Sequence, residues 1–274
     1  MPESSGQQIR SRRRALAAVA GVVLAGTVAG VAVAEVTGAP TVSRRASAPR
    51  QASSFNTVPH ERAVRHVTSL RTSCRSVAHI GDSISVDLIS PDFLPNPAQR
   101  LPARYAAVGV KRLRIDASSG RSVVEALPGQ VNGYNVARAW RAAGYRGCWV
   151  FALGTNDAAD VANGSAVGYA ARISEMMSVA HGQPVMWVNT VTTTPTGFWA
   201  SPHEQAWDRA LVKAAAKYPN MRIFDWAAIA RPGWFLSDGI HYTSAGCAVR
   251  AKAIADALAR AFPRGGHSNG DIVK

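Results

Sequence analysis

Short apolar segments rich in β-branched residues alternate along the chain with longer segments whose apolar residues recur at helical spacing. Five segments of the short kind occur, near Val77–Ile80, Val110–Ile115, Cys148–Leu153, Pro184–Val191 and Met221–Phe224. Strands that are buried on both faces read as such continuous apolar runs. The alternation predicts an α/β fold, with a parallel sheet covered by helices on both faces.

The helical spacing is found in four segments, near Asn135–Ala143, Ala166–Ala180, His203–Lys217 and Ser244–Ala261. The last is followed by Pro263 and by Gly265 and Gly266, which end a helix. Residues 265–274 are polar and glycine-rich, and we expect this tail to be disordered.

The amino-terminal region has a different pattern. Basic residues at 10–14 precede 20 uncharged, mostly apolar residues at 15–34. This order predicts an export signal or an N-terminal membrane anchor over residues 1–35. Two features fit cleavage: the small residues Ala32 and Ala34 form a signal-type site, and the paired arginines permit twin-arginine export. The length of the run fits a retained anchor instead. Both alternatives place the rest of the chain outside the cytoplasm.

Residues 36–65 are rich in Ser, Ala, Pro and Arg without hydrophobic periodicity, which predicts a flexible linker. The folded domain is then expected over residues 66–264, a length that can bury a full core. The net charge is +14, of which +8 falls after residue 65. Because no cluster of basic and aromatic residues accompanies this charge, we expect no nucleic-acid partner.

Three short motifs stand where predicted strands end and loops begin. They are His79-Ile80-Gly81-Asp82-Ser83, Gly154-Thr155-Asn156-Asp157 and Asp238-Gly239-Ile240-His241. In an open α/β sheet, the loops that follow the strands form the ligand crevice. The three motifs are therefore expected to converge on one edge of the sheet.

In this order the motifs resemble those of the SGNH hydrolases, the superfamily of GDSL esterases and lipases, over about residues 76–260. The resemblance implies a three-layer α/β/α, flavodoxin-like fold with a five-stranded parallel sheet. It also implies a triad in which Ser83 attacks an acyl carbonyl, His241 takes the hydroxyl proton, and Asp238 orients the imidazole. An alternative role for Asp238 is to cap the helix that follows Thr243.

The same resemblance implies an oxyanion hole, which in the family combines the backbone N–H of the nucleophile, a glycine N–H and an asparagine side chain. Here these are Ser83, Gly120 and Asn156. Gly120 is chosen because its loop follows the second predicted strand, whereas Gly109 and Gly133 fit less well.

Several other residues receive structural or pocket roles. Asp82 and Asp157 are expected to hydrogen-bond loop backbone, His79 to pack inside the domain, and no metal or other cofactor is expected. Three aromatic residues in loops after the fourth and fifth strands are candidates for the substrate pocket, namely Phe198, Trp199 and Trp234.

The chain has three cysteines. If the flavodoxin-like strand order holds, the first and third strands are neighbours, and a disulfide between Cys74 and Cys148 at their amino ends is geometrically permitted. Cys247 is then expected to be a small core residue.

The expected activity is hydrolysis of a carboxylic ester, carried by an acylated envelope lipid or glycan, through an acyl-serine. An acyltransferase that passes the acyl group to a sugar hydroxyl remains an alternative, as does a non-catalytic domain that binds glycan or lipid. We expect a monomer that associates with the membrane, if at all, through residues 15–34.

Overall fold

The computed structural model of the chain describes residues 70–268 and 270–274. The predicted export or anchor segment, the linker and the beginning of the domain lie outside the described residues. Within those residues, no helix is both long enough and apolar enough to cross a membrane.

The centre of the domain is a sheet in which every strand runs parallel to its neighbours, in the order β2-β1-β3-β4-β5-β6. The strands are β1 (Ser76–Gly81), β2 (Arg112–Ala117), β3 (Cys148–Ala152), β4 (Val185–Val188), β5 (Met221–Phe224) and β6 (Ile272–Val273). The first five correspond to the predicted strands, with β2 beginning and ending two residues later and β4 shorter than predicted.

The sixth strand, β6, differs from the expectation of five strands, and it lies in the tail for which the sequence predicts disorder. It pairs with β5, so that Ile223 is opposite Ile272 and Phe224 is opposite Val273. The side chain of Val273 is buried against the apolar core. A strand of two residues in a polar tail is too short to produce a periodic signal in the sequence. Its position is set by pairing with the edge of β5.

Helices cover both faces of the sheet, as predicted. They are α1 (Ser83–Asp87), α2 (Leu101–Ala107), α3 (Gly133–Ala142), α4 (Thr155–Ala162), α5 (Tyr169–Ala180), α6 (Ser201–Ala215) and α7 (Ser244–Ala261). Helices α2 and α7 pack over one apolar core, and α3, α5 and α6 pack over the other. Both cores contain alternate residues of the same strands, which gives the three-layer α/β/α architecture.

Strand register brings the first two predicted motifs, which follow β1 and β3, to one edge of the sheet, whereas the third lies shortly before α7. Gly81, the last residue of β1, is opposite Ala117 at the end of β2 and Ala152 at the end of β3. The loops that begin after these residues therefore leave the sheet side by side.

A disulfide joins Cys74 and Cys148, the pair predicted from the sequence, with their Cα atoms 5.7 Å apart. The two residues are not level, because Cys148 is opposite Val77 in the ladder and Cys74 precedes β1. Cys247 is free and buried in the core, and burial raises the pKa of its thiol to about 12.

Candidate active site

Ser83 is the first residue of α1, directly after β1. The side chain of Asp82 caps this helix, since its Oδ1 accepts a hydrogen bond of 3.0 Å from the Ile84 N–H. Asp82 is buried, as expected for a residue that serves the backbone. The turn thus presents the Ser83 hydroxyl at the edge of the sheet.

His241 lies beside Ser83, although 158 residues separate them in the chain. Its Nε2 is 2.9 Å from Ser83 Oγ, and its Nδ1 is 2.7 Å from Asp238 Oδ2. The other oxygen of Asp238 accepts hydrogen bonds from the N–H groups of Ile240 and His241, at 2.9 and 3.0 Å. The arrangement forms a continuous chain from a carboxylate through an imidazole to a hydroxyl.

The alternative role for Asp238, capping α7, is taken by another residue. Thr243 is the N-cap of α7, and its Oγ1 accepts a hydrogen bond from the Gly246 N–H at 3.2 Å. Asp238 is therefore free to hold the imidazole of His241.

Asn156 lies in the first turn of α4, after the sharp turn at Gly154. Gly154 has φ +138°, and a Cβ placed on it would lie 2.2 Å from Trp207 Nε1, so the position requires glycine. The Asn156 Nδ2 donates to the carbonyl of Arg121 at 3.2 Å, while its Oδ1 accepts from Trp199 Nε1–H at 3.4 Å. An amide nitrogen has two hydrogens, so one remains for a ligand.

Gly120 lies in the loop after β2, with φ +66°. Its neighbour Arg121 is buried and connects this loop to the end of β1, since its guanidinium donates to the carbonyls of Gly81 and Asp116 at 3.4 and 2.9 Å. Arg121 Nη2 also forms an ion pair with Asp116 Oδ1, at 2.7 Å. The loop that carries Gly120 is thereby held beside the end of β1, close to Ser83 in the chain.

The role of Arg121 could not be read from the sequence. An arginine in a loop is usually a solvated charge, and nothing in the local pattern marks it as buried. The relevant signal is the combination of a loop that follows β2, the neighbour of β1, and an acidic residue, Asp116, near the end of β2.

Asp157 performs the backbone role predicted for it and belongs to a larger buried network. Its Oδ1 accepts from the Val123 N–H and from Arg172 Nη1, both at 2.9 Å. Arg172 is fully buried and also donates to Glu125 at 2.8 Å. This network fixes the loop after Gly120 against α4 and α5, and neither Arg172 nor Glu125 is suggested by a sequence motif.

His79 is also a structural residue. It is fully buried, with Nδ1 3.0 Å from the Tyr105 hydroxyl and Nε2 3.1 Å from the Ser85 hydroxyl. Burial, together with the positive charge of Arg250, lowers the pKa of His79 to about 3. The imidazole is therefore neutral at physiological pH.

The three aromatic candidates for the pocket differ in their surroundings. Phe198 and Trp199 are 47% and 40% exposed, and Trp199 touches Asn156. Trp234 is half-buried and stacks on Trp226, with ring centroids 5.8 Å apart. Another exposed apolar side chain, Leu127, lies against Gly120 and was not identified from the sequence.

Comparisons with solved structures show the fold. The lipase/acylhydrolase from Enterococcus faecalis is 15% identical, with a TM-score of 0.52 over 70% of this chain and 100% of that one. The carbohydrate acetylesterase family member from Sinorhizobium meliloti is 15% identical, with a TM-score of 0.52 over 66% and 95%. The catalytic domain of Streptococcus pneumoniae peptidoglycan O-acetyltransferase A is 18% identical, with a TM-score of 0.51 over 69% and 97%.

No protein-family model and no curated protein sequence matches the chain. These likenesses show that the domain has the three-layer α/β/α fold of these three proteins, which is the fold implied by the resemblance of its motifs to those of the SGNH hydrolases. Proteins of this fold include both esterases and acyltransferases, and fold alone does not choose between them.

Proposed function

We propose that the protein is a serine esterase that cleaves a carboxylic ester through an acyl intermediate on Ser83. One observation carries the proposal, namely the hydrogen-bonded chain from Asp238 through His241 to Ser83 Oγ. A serine hydroxyl is a weak nucleophile, and a neighbouring base with an orienting carboxylate supplies the activation it needs.

In the acylation step, His241 Nε2 accepts the proton of Ser83 Oγ while the oxygen attacks the ester carbonyl. The carbonyl oxygen becomes an oxyanion, which the N–H groups of Ser83 and Gly120 and the free hydrogen of Asn156 Nδ2 stabilise. The Asp238 carboxylate stabilises the imidazolium that forms.

The tetrahedral intermediate then collapses. The bond to the leaving alcohol breaks, and His241 returns the proton to that oxygen, which leaves an acyl ester on Ser83. In deacylation, His241 takes a proton from water while the water oxygen attacks the acyl carbonyl and forms a second tetrahedral intermediate. The bond between the acyl carbon and Ser83 Oγ then breaks, His241 returns the proton to Ser83 Oγ, and the carboxylic acid leaves.

Apolar side chains around these groups support an amphiphilic ester as substrate. Leu127, Phe198 and Trp199 are exposed, although large apolar side chains are usually buried. Leu127 adjoins Gly120 and Trp199 adjoins Asn156, so both border the proposed oxyanion hole. We propose that these side chains contact the acyl chain or the sugar face of an acylated envelope lipid or glycan.

An extracytoplasmic location is part of the proposal. It is supported by the basic and apolar segments at residues 10–34 and by the Cys74–Cys148 disulfide, because disulfides persist mainly in oxidising compartments. Fractionation of cells that express the full chain, followed by amino-terminal sequencing, tests it. Recovery of the whole chain in the cytosol, with both thiols free, would contradict the proposal.

Turnover of a series of p-nitrophenyl esters, from acetate to decanoate, tests the esterase activity. We expect wild type to release nitrophenol and Ser83→Ala to lose at least 10³-fold in kcat. The matched control is Ser85→Ala, which removes a buried hydroxyl two residues further along the same helix and leaves the nucleophile in place. If Ser83→Ala kept wild-type turnover, the mechanism would be wrong.

The alternative acyltransferase activity uses the same acyl-serine, with a sugar hydroxyl in place of water. Adding a sugar or a peptidoglycan fragment to the ester assay separates the two by the ratio of acyl-sugar to free acid. Free acid as the main product, independent of acceptor concentration, supports the esterase. If wild type binds a glycan or lipid ester without turning over any ester, the non-catalytic alternative is favoured.

A further inference from the structure

The loop between β4 and α6, residues 189–200, is held rigidly by its own threonines. The carbonyl of Trp199 accepts hydrogen bonds from Thr192 Oγ1 at 2.7 Å and from Thr194 Oγ1 at 2.5 Å. Ser201 Oγ, at the beginning of α6, donates to the Thr192 carbonyl at 2.7 Å. These hydrogen bonds hold the backbone of Trp199, and therefore the position of the Cα from which its indole side chain extends.

This loop also contacts the turn that carries Asp238 and His241. The Thr193 N–H donates to the Gly239 carbonyl at 2.8 Å. Gly239 has φ +68°, and a Cβ on it would lie 2.7 Å from Thr193 Oγ1, so the two segments pack as closely as glycine allows. One loop thus holds both the acid/base turn and the indole beside Asn156.

The Asn156 amide is oriented by two partners of opposite kind. Its Nδ2 faces the Arg121 carbonyl, an acceptor, and its Oδ1 faces the Trp199 indole N–H, a donor. A flipped amide would place its oxygen against the Arg121 carbonyl and its nitrogen against the indole N–H. Both contacts would then be repulsive, so the two partners together select the orientation that leaves one N–H available.

Core packing does not account for an aromatic residue here. Trp199 is 40% exposed, whereas Trp149, Trp187, Trp207 and Trp226 are completely buried. The polar atom of the Trp199 side chain meets a group of the proposed oxyanion hole, while its ring remains open to solvent.

We propose that Trp199 is a positioning residue, whose indole N–H fixes the Asn156 side chain with its free N–H toward the oxyanion. This inference rests on the proposed function, because it assigns Trp199 a part in the same acyl-transfer chemistry. Trp199 acts through Asn156 and itself carries no proton of the reaction.

A double-mutant cycle with Trp199→Phe and Asn156→Ala tests the assignment, since phenylalanine keeps a ring and removes the N–H. Two rates are measured: kcat on p-nitrophenyl acetate, and the rate at which a fluorophosphonate labels Ser83. We expect Trp199→Phe to lower both about threefold to tenfold, the worth of one neutral hydrogen bond, with KM unchanged. In the Asn156→Ala background the same substitution should change neither rate by more than about twofold.

Trp140→Phe is the matched control, because it makes the same exchange at a half-buried tryptophan of α3, whose ring stacks on Trp149. Equal losses from Trp199→Phe in both backgrounds would overturn the inference, as would wild-type rates in the single variant or a change in KM alone. Melting temperatures of all variants show whether each is folded. Failure of the proposed function gives a different result, namely no labelling of Ser83 in wild type.

Discussion

The charge of Asp238 is set by the hydrogen bonds that it accepts. Burial raises the pKa of this carboxyl. The hydrogen bonds from the N–H of Ile240 and from the ring and backbone N–H of His241 together lower it by more, so the pKa lies below its ordinary value. The carboxylate is therefore ionised throughout the neutral and mildly acidic range. A permanent negative charge at this position stabilises the imidazolium whenever His241 takes up a proton.

Replacing Asp238 with Asn tests this role. The amide has about the same shape but no charge, so it can neither stabilise the imidazolium nor hold the imidazole in one tautomer. We expect kcat on p-nitrophenyl acetate to fall about 10²- to 10⁴-fold, with the melting temperature little changed. Asp256→Asn is the control, because it breaks only an ion pair with Lys252 on α7. Wild-type kcat in Asp238→Asn would contradict the role.

Motif residues and their supporting residues differ in how well a sequence predicts them. Ser83 and Asn156 stand in motifs that follow β1 and β3, and Asp238 and His241 stand in a motif shortly before α7. The structure joins Ser83, His241 and Asp238 by hydrogen bonds. Arg121 could not be identified in this way, because its function depends on burial and on carbonyls far away in the chain. Local residue types therefore predict the candidate catalytic residues, whereas the residues that hold them in place are determined by tertiary packing.

Helices and strands also differ in how well the sequence predicts them. The apolar periods predict β1 to β5 and the long helices, since these elements bury continuous apolar faces. Helices α1 and α4 follow directly on the motifs and are short, and β6 has two residues, so none of them produces a period. Their positions depend on the turns at Asp82 and Gly154 and on the edge of β5.

Glu204 on α6 gives a prediction at the scale of an element. Its carboxyl is buried, and both of its oxygens lack a hydrogen-bond partner among the described residues. Burial, with the acidic neighbours Asp208 and Asp82, raises its pKa well above the ordinary value of 4.5. The folded chain therefore keeps a proton that the unfolded chain releases, and stability falls as pH rises from about 4.5 toward the folded pKa.

The variant Glu204→Gln removes this titration and keeps the shape of the side chain. We expect its free energy of unfolding to increase relative to wild type as pH rises from about 4.5 toward the folded pKa, because the variant lacks the loss of stability that Glu204 contributes there. Urea denaturation at several pH values measures the difference. Glu175→Gln on α5 serves as the control and should follow wild type. A constant difference between Glu204→Gln and wild type across this range would contradict the protonated state of Glu204.

At the scale of the whole molecule, the disulfide links the beginning of the domain to the centre of the sheet. Cys74 and Cys148 are 74 residues apart in the chain, so the bridge closes a long loop that includes β1, β2 and the turn at Ser83. A cross-link over such a loop stabilises a domain by about 3 to 5 kcal/mol, mainly by restricting the unfolded chain.

Replacing both Cys74 and Cys148 with Ser should therefore lower the free energy of unfolding by about 3 to 5 kcal/mol. Denaturation with and without a reductant measures the effect. Reductant should destabilise wild type and leave the double variant unchanged, because Cys247 is already a free thiol. If wild type were insensitive to reductant under conditions that fully reduce the bridge, the disulfide would not contribute to stability.

The central claim is that Ser83, activated by His241, becomes covalently acylated, and a mechanism-based label tests it most directly. A fluorophosphonate should add one adduct, located by fragmentation of the tryptic peptide of residues 76–100 at Ser83 rather than at Ser76, Ser85 or Ser90. The adduct should form in wild type and in Ser85→Ala, form far more slowly in His241→Ala, and be absent in Ser83→Ala. An adduct on another residue, or undiminished labelling of Ser83→Ala, would contradict the account.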